Sequence, residues 1–226
     1  MKFSKSWAVA AVMVALTGAA QAALVDRGGG MIYDTTRNIT WLADMNYAGT
    51  SGHTGTGVNA NGTMTWDAAV AWANNLVYGG YDDWRLPTVN PSDTSCTGGF
   101  AVGIGYNCTG GELSGLFVTD LGNKAGESVR NRVGDTAEQI ANLALFNNLQ
   151  SYDYWSGTEY ERNATFAWYF DAREGLQLHG RDKGGALYAV AVRPGDVAAR
   201  VPEPQTLALA LLALGATVVA RRRRPR

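Results

Sequence analysis

The sequence has few of the residues from which metal sites and redox centres are usually built. Its 226 residues include only two cysteines and two histidines. The cysteines do not form a Cys-x-x-Cys redox motif, and a zinc site would need all four residues at a spacing that the usual zinc motifs do not show. We therefore expect no cofactor and no metal. The four residues are Cys96, Cys108, His53 and His179.

An excess of positive charge, typical of nucleic-acid-binding proteins, is also lacking. Without its two terminal segments, the chain over residues 23–204 has 12 basic and 20 acidic residues, a net charge of −8. Because an acidic domain repels polyanions, this balance argues against nucleic acid as a partner. It is compatible with neutral glycans, with cations, or with solubility alone.

Long apolar runs are confined to the two ends of the chain. Two lysines precede the apolar stretch from Trp7 to Leu16, and Ala20 and Ala22 form a small-x-small cleavage site. The pattern predicts a secretory signal peptide over residues 1–22. The alternative is a membrane anchor, but the stretch is about half of the ~20 residues that a spanning helix needs.

The second apolar run, Thr206–Ala220, is uncharged and is followed by five arginines among the last six residues. As a helix it would span roughly 22 Å, which is short for a hydrocarbon core of ~30 Å. Arginines beside an apolar segment stay in the cytoplasm. We therefore expect a short transmembrane segment over residues 206–220, with the domain outside and the arginines inside. The alternative is a buried core helix, which does not usually end in four consecutive arginines.

Export also determines the redox environment of the two cysteines. In an oxidising compartment Cys96 and Cys108 are expected to form a disulfide. Closing a loop of this size contributes roughly 3 kcal/mol of stability in the chain-entropy model. The alternative is two free thiols.

Apolar periodicity predicts three helices. The first begins after Thr65 and ends at Gly79-Gly80, with one apolar face. A short second helix covers residues 112–121. The tetrapeptide Asp135-Thr136-Ala137-Glu138 has the spacing of a capping box for a third helix that reaches Leu149. The face of the first helix comprises Trp66, Ala69, Val70, Ala73, Leu76 and Val77.

Strands dominate the later part of the chain. Helices followed by antiparallel strands indicate an α+β domain over residues 23–200, with long loops. The predicted strands cover residues 31–33, 39–42, 154–158, 165–171, 176–179 and 186–193.

The end of the chain resembles the PEP-CTERM sorting signal of Gram-negative bacteria. The matching features are Pro202-Glu203-Pro204, the apolar run and the basic end, which together form a signal over residues 201–226. The resemblance implies recognition by an exosortase, cleavage near the Pro-Glu-Pro motif, and a host that makes exopolysaccharide and forms biofilm. It further implies brief residence in the inner membrane, and then a place on the outer surface or in the extracellular matrix.

Ordered aromatic segments carry a second resemblance. The most specific runs Gly79-Gly80-Tyr81-Asp82-Asp83-Trp84-Arg85-Leu86-Pro87-Thr88, and shorter ones follow at 154–158, 167–171 and 191–194. This set is similar to the C-terminal domain family of the collagen-like adhesin Lcl, over Gly28 to Gly195. The resemblance implies a C-type-lectin-like fold, adhesion and glycan binding.

The chain departs from that family in ways that affect its ligand. There is no Gly-x-y collagen repeat, and the domain lacks the Glu-Pro-Asn and Trp-Asn-Asp calcium motifs. Calcium-dependent sugar binding is therefore not carried over, and the acidic balance argues against sulfated glycosaminoglycans.

Candidate ligand residues are Trp155, Glu159, Trp168 and Asp171. The tryptophans could stack on sugar rings, but like Trp84 they more often fill a core. Asp171, Glu159 and a third carboxylate, Glu161, could hold a cation, but solvated or turn-capping roles are commoner.

Two other groups of residues could have a functional role, but an ordinary structural explanation is favoured for each. Arg85 could bind an anion, but an ion pair with Asp82, Asp83 or another carboxylate is more usual. A Ser-His-Asp triad can be assembled by residue type from Ser156, His179 and Asp171. The sequence does not support it, because no nucleophile-elbow motif surrounds the serine.

Three functions remain open. The first is a non-enzymatic exported protein that binds glycan or exopolysaccharide. The second is an enzyme, because formylglycine-generating oxidases share the lectin-like fold, although they need reactive cysteines. The third is a structural envelope component without a ligand.

Overall fold

A computed structural model describes residues 24–197, which form two four-stranded antiparallel sheets joined by short helices and long loops. The predicted α+β class is confirmed. The strands are β1 (Leu24–Asp26), β2 (Met31–Asp34), β3 (Ile39–Leu42), β4 (Gly105–Tyr106), β5 (Asp153–Glu159), β6 (Phe166–Asp171), β7 (Leu176–Asp182) and β8 (Val192–Pro194). The helices are α1 (Tyr47–Thr50), α2 (Trp66–Asn74), α3 (Glu112–Ser114) and α4 (Ala137–Leu143), and a π-helix, Gly115–Asp120, continues α3.

The first sheet joins the beginning of the domain to its end. Its strand order is β1-β2-β3-β8, so the last strand pairs with the third, and Thr40 lies opposite Arg193. The second sheet has the order β4-β7-β6-β5. A core cluster lies on each side of the segment that leads into β8.

That segment corrects one prediction. A strand was expected over residues 186–193, but only its last two residues belong to β8. Before that, Leu187 bridges Met64 and Tyr188 bridges Tyr154, so the segment pairs with two different parts of the chain. The predicted alternation exists, but both of its faces are buried, one against each core cluster. Leu187, Ala189 and Ala191 pack in one cluster, and Val190 and Val192 in the other.

The first predicted helix is confirmed as α2, although it is shorter than expected. It ends at Asn74, and Val77, which the periodicity placed on the buried face, is 72% exposed. Beyond the helix, the backbones of Tyr78 and Tyr81 bond each other across Gly79 and Gly80, both of which have positive φ. The turn thus begins after an irregular stretch that periodicity alone does not reveal.

The predicted capping box is present but displaced by one residue. Thr136, not Asp135, is the N-cap of α4: its Oγ1 accepts from Gln139 N, and its backbone N donates to Gln139 Oε1. The side chain of Asp135 instead pairs with Lys124 and Arg132. The Asp135 side chain is thus buried in two ion pairs and does not cap the helix.

The third helix also stops earlier than predicted, at Leu143 instead of Leu149. The reason is a long-range backbone contact, because Asn147 N donates to Ala43 O at 2.8 Å and Met45 N donates to Asn147 O at 2.9 Å. The second helix, expected over residues 112–121, is mostly the π-helix.

The Trp84-Arg85-Leu86 segment connects distant parts of the fold. Trp84 and Leu86 are buried, and Arg85 exchanges two backbone hydrogen bonds with Val192, each 2.8 Å long. The Arg85 guanidinium donates twice to the Glu112 carboxylate, at 2.7 Å each. The expected structural ion pair of Arg85 is therefore present, with a carboxylate 27 positions along the chain.

Asp83 takes a different partner. Its carboxylate accepts from Arg193 Nε at 2.7 Å and from Nη2 at 2.9 Å, and the Arg193 guanidinium lies over the Tyr81 ring. This arginine holds the pKa of Asp83 below its usual value. Two ion pairs therefore attach the segment that precedes Leu86, one to β8 and one to α3.

A buried ionic network lies where the β2–β3 turn meets the π-helix. Arg37 Nη1 lies 2.6 Å from both Asp34 Oδ2 and Asp120 Oδ2. Burial outweighs the attraction of Arg37 and raises the pKa of Asp120 to about 6. The charged form of Asp120 is thus disfavoured in the folded state.

Stability is therefore expected to depend on the protonation of Asp120. Because the folded pKa of about 6 lies above the unfolded value of 3.8, the folded state binds the extra proton, and stability falls as pH rises through this window. Asp120→Asn should remove that fall, which amounts to at most about 3 kcal/mol at ~1.4 kcal/mol per pKa unit. Urea unfolding between pH 4 and pH 7 measures it. The exposed Asp67→Asn variant should follow the wild type, and identical pH slopes for Asp120→Asn and wild type would contradict the assignment.

Candidate functional site

A cavity of about 380 Å³ opens where the turn after β5 meets β6, β7 and the loop that the cysteines close. We call it the aromatic pocket. Its walls combine three ring systems with two charged side chains and apolar loop residues. The lining residues include Tyr160, Glu161, Arg162, Trp168, His179 and Val102.

The register of β6 and β7 brings two of these rings together. Ala167 pairs with Arg181 and Tyr169 pairs with Leu178, so the register shifts by one residue opposite Trp168. Gly180, at φ +85°, takes up the extra residue in a conformation that suits glycine. Trp168 and His179 therefore meet with their ring centroids 5.2 Å apart.

Tyr160 completes the aromatic cluster. Its ring stacks on His179 with the centroids 4.0 Å apart and the planes 4° from parallel. The edge of Trp168 approaches the same pair, 6.2 Å from Tyr160. The three rings form a rigid apolar surface beside the cavity.

Two polar atoms in this cluster have no partner. Trp168 Nε1 and His179 Nδ1 are buried and make no hydrogen bond within residues 24–197. Leaving a buried polar group unpaired costs about 1–3 kcal/mol. Burial lowers the pKa of His179 below its usual value, and the nearby positive charge of Arg162 lowers it further. Unpaired polar atoms beside an aromatic surface are typical of a site that a ligand completes.

The disulfide loop forms the opposite wall. Cys96 and Cys108 are bonded, which confirms the predicted disulfide. Within the loop, Gly103 has φ +77°, and a Cβ added there would lie 2.2 Å from Pro91 O. The buried Gln177 of β7 donates to Gly103 O at 2.7 Å. The wall is thus fixed to the sheet that carries the rings.

The tip of this loop exposes apolar side chains at the mouth of the pocket. Phe100 is 80% exposed and Val102 is 62% exposed. The Phe100 ring nevertheless lies edge-on to His179, with the centroids 6.3 Å apart. The mouth therefore has an accessible ring next to the aromatic cluster.

Only one of the four candidate ligand residues, Trp168, lies in this pocket. Trp155 has no exposed surface, and its Nε1 donates to Met64 O at 2.8 Å. The structure therefore corrects the suggestion that Trp155 offers a ring to sugar, because its neighbours in the core cover both faces. Trp84 is likewise a core residue.

The two candidate carboxylates are already engaged. Glu159 forms an ion pair with Lys183, whose ammonium also lies over the Trp66 ring. The buried Asp171 accepts from the Arg173 guanidinium at 2.9 Å. Neither of these two carboxylates lines the aromatic pocket, whereas Glu161, the third cation candidate, does.

The structure does not bring Ser156, His179 and Asp171 together as a catalytic triad. Ser156 Oγ accepts from Thr158 N, Asp171 binds Arg173, and His179 Nδ1 has no hydrogen-bond partner within residues 24–197. The four zinc candidates are also separated. The two sulfurs are joined to each other, and His53 is exposed beside a different cavity.

Sequence reasoning missed Tyr160, Arg162 and Phe100 as site residues. Tyr160 and Arg162 lie in the turn between two predicted strands, and an aromatic residue next to two charged ones in such a turn was the available signal. Phe100 carried no such signal, because its position depends on how the disulfide loop folds onto β7.

Comparison with known families gives two matches. The model of the Lcl C-terminal domain matches residues 30–193, and that of the PEP-CTERM protein-sorting motif matches residues 200–224. Both resemblances inferred from the sequence are confirmed. No curated protein and no solved structure matches the chain, so the C-type-lectin-like identity of the fold stays a prediction.

The sorting motif establishes that the protein is processed by an exosortase and exported to the cell surface or extracellular space. The predicted cleavage residues Ala20 and Ala22, the motif residues Pro202, Glu203 and Pro204, and the apolar segment over 206–220 lie outside the described residues. Within residues 24–197, no helix has the length and apolar character needed to cross a membrane.

The disulfide is expected to stabilise both the fold and the pocket wall. Replacing both cysteines by serine should lower the free energy of unfolding by about 3 kcal/mol, since the loop they close spans 12 positions. Equilibrium unfolding in urea measures the loss, and wild-type protein with its disulfide reduced provides the matched control. An unchanged unfolding midpoint in both samples would contradict this role.

Processing at the C-terminus can be tested in the native host. Replacing Pro202, Glu203 and Pro204 by alanine should leave the tail attached, because the motif that the exosortase recognises is lost. An epitope tag after Arg226 would then remain on the exported chain, as seen by immunoblotting. The matched control replaces Gln205 and Thr206 by alanine and should lose the tag as the wild type does. Loss of the tag from the motif variant would exclude recognition through these three residues.

Proposed function

The chain belongs to the Lcl C-terminal domain family, and we propose that it is a non-enzymatic protein of the cell surface or extracellular matrix that binds glycan in the aromatic pocket without a cofactor. The observation that carries the proposal is the cluster of Tyr160, Trp168 and His179 beside a cavity with unpaired buried polar atoms. The partner we propose is the exopolysaccharide of the host's own biofilm.

The chemistry of sugars supports this ligand class. A pyranose has apolar C–H faces that stack on aromatic rings, and hydroxyl groups around its edge that exchange hydrogen bonds. The pocket offers both kinds of partner, since Phe100 and Tyr160 present rings near its mouth while Glu161 and Arg162 line it. A cavity of about 380 Å³ is of the size that holds one or two sugar units.

The alternatives have less support. An oxidase of the formylglycine-generating kind needs reactive cysteines, and here both cysteines are in the disulfide. A purely structural envelope component would not need a cavity lined by aromatic rings and charged side chains. The binding experiment below separates it from the proposal, because such a component binds no glycan.

The mature exported protein is expected to bind exopolysaccharide from its host with saturation in calorimetry. Phe100→Ala and Tyr160→Ala should each weaken binding about fivefold, because stacking on a ring contributes on the order of 1 kcal/mol. Tyr152→Ala, which removes an exposed tyrosine outside the pocket, is the matched control and should bind as the wild type does. The titrations are repeated with calcium and with a chelator.

Three results would contradict the proposal. An absence of binding heat and of co-sedimentation under both conditions would favour a structural or enzymatic role. Equal binding by all variants would place the glycan elsewhere on the molecule. Binding that disappears with the chelator would exclude recognition without a metal.

A further inference from the structure

We infer that the aromatic pocket recognises an acidic sugar unit, and that the Arg162 guanidinium binds its carboxylate. This inference rests on the proposed glycan function and specifies the chemical class of the ligand. Among the residues that the structure describes, 24–197, Arg162 is the one basic side chain that makes neither an ion pair nor a hydrogen bond.

The domain pairs its basic side chains almost completely. Within residues 24–197, nine of the eleven lysines and arginines form an ion pair with a carboxylate, and Arg130 donates to the backbone carbonyl of Leu149. Arg162 alone makes neither contact within these residues. The paired residues are Arg27, Arg37, Arg85, Lys124, Arg132, Arg173, Arg181, Lys183 and Arg193.

Arg162, which has no ion-pair partner, lies where its charge can act on a ligand in the pocket. It is exposed, it lines the aromatic pocket, and its charge is close enough to His179 to lower the pKa of that imidazole. A guanidinium beside a stacked pair of rings can bind a carboxylate while the rings bind the sugar face. Because its five N–H donors form a planar fork, arginine matches a carboxylate with two parallel hydrogen bonds.

The remaining charges limit how acidic the ligand is. Glu161 also lines the pocket, and the domain over residues 23–204 has a net charge of −8. A densely sulfated chain would be repelled by Glu161 and by the net negative charge of the domain. A polymer with one carboxylate in each sugar unit can place a single carboxylate on Arg162 while its rings stack on Tyr160. The favoured class is therefore a uronate-containing polysaccharide.

The test compares sugars that differ only in the carboxylate. Oligomers of mannuronate, guluronate, glucuronate and galacturonate are titrated into the mature protein at physiological ionic strength, each beside its carboxyl-reduced counterpart. At least one uronate should bind about tenfold more tightly than its reduced form, as expected when a charge-assisted hydrogen bond is added. Arg162→Gln should abolish this difference, and Arg162→Lys should retain part of it. Arg27→Gln removes the same charge outside the pocket and should leave the difference intact.

The outcomes separate this inference from the proposed function. If reduced and acidic oligomers bind equally, and Tyr160→Ala weakens both, the pocket is a glycan site but the acidic class is wrong. If the preference for the uronate survives Arg162→Gln, or falls equally in Arg27→Gln, Arg162 is not the recognising group. If no oligomer binds in either form and the host exopolysaccharide does not bind either, both proposals fail.

Discussion

The bidentate ion pair between Arg85 and Glu112 joins parts of the chain that no local interaction could hold together. The backbone of Arg85 bonds Val192 in the last strand, and its side chain fixes the start of α3. Glu112 also accepts from Thr88 N at 2.8 Å, so one carboxylate orders the whole turn from Arg85 to Thr88. The guanidinium holds the pKa of Glu112 below its usual value although burial opposes this, and the pair therefore stays charged. Breaking it would leave a partly buried charge without compensation, which costs far more than an exposed pair contributes.

The same segment determines where the pocket lies. After Leu86 the chain crosses β5, where Gly157 N donates to Pro87 O at 2.8 Å and Val89 N donates to Thr158 Oγ1 at 3.2 Å. It then reaches β7, where Gln177 binds Asn90 O and Gly103 O. The disulfide loop begins at this point and becomes the wall of the pocket. The most distinctive run of the sequence thus acts at a distance, because it contributes no ring to the pocket and yet fixes the strands and the loop that form it.

Sequence reasoning succeeded where one interaction dominates and failed where several compete. The α2 helix, the disulfide and the α+β class follow from periodicity and from the compartment. That Arg85 pairs with a carboxylate follows from its chemistry, but the sequence did not identify Glu112, which lies 27 positions away. The capping residue of α4 was misassigned because Asp135 is drawn into ion pairs with Lys124 and Arg132. The strand before β8 was overextended because its two faces contact different segments. Of the residues at the pocket, the sequence identified Trp168 as a ligand candidate and missed Tyr160, Arg162 and Phe100. These residues come together through a one-residue register shift and the folding of the disulfide loop, which sequence patterns do not show.

The burial of Val197, which is 1% exposed, has a consequence for the finished protein. The folded part of the chain reaches to this residue, and the sorting motif begins at Pro202, only a few residues later. A fully extended chain covers at most ~3.6 Å per residue, so the five residues from Val197 to Pro202 can span at most about 18 Å. A group attached at the processing site would tether the domain by a linker that is shorter than the diameter of the domain. The protein would then reach only the layer next to its point of attachment, and many copies would be needed to cover a surface.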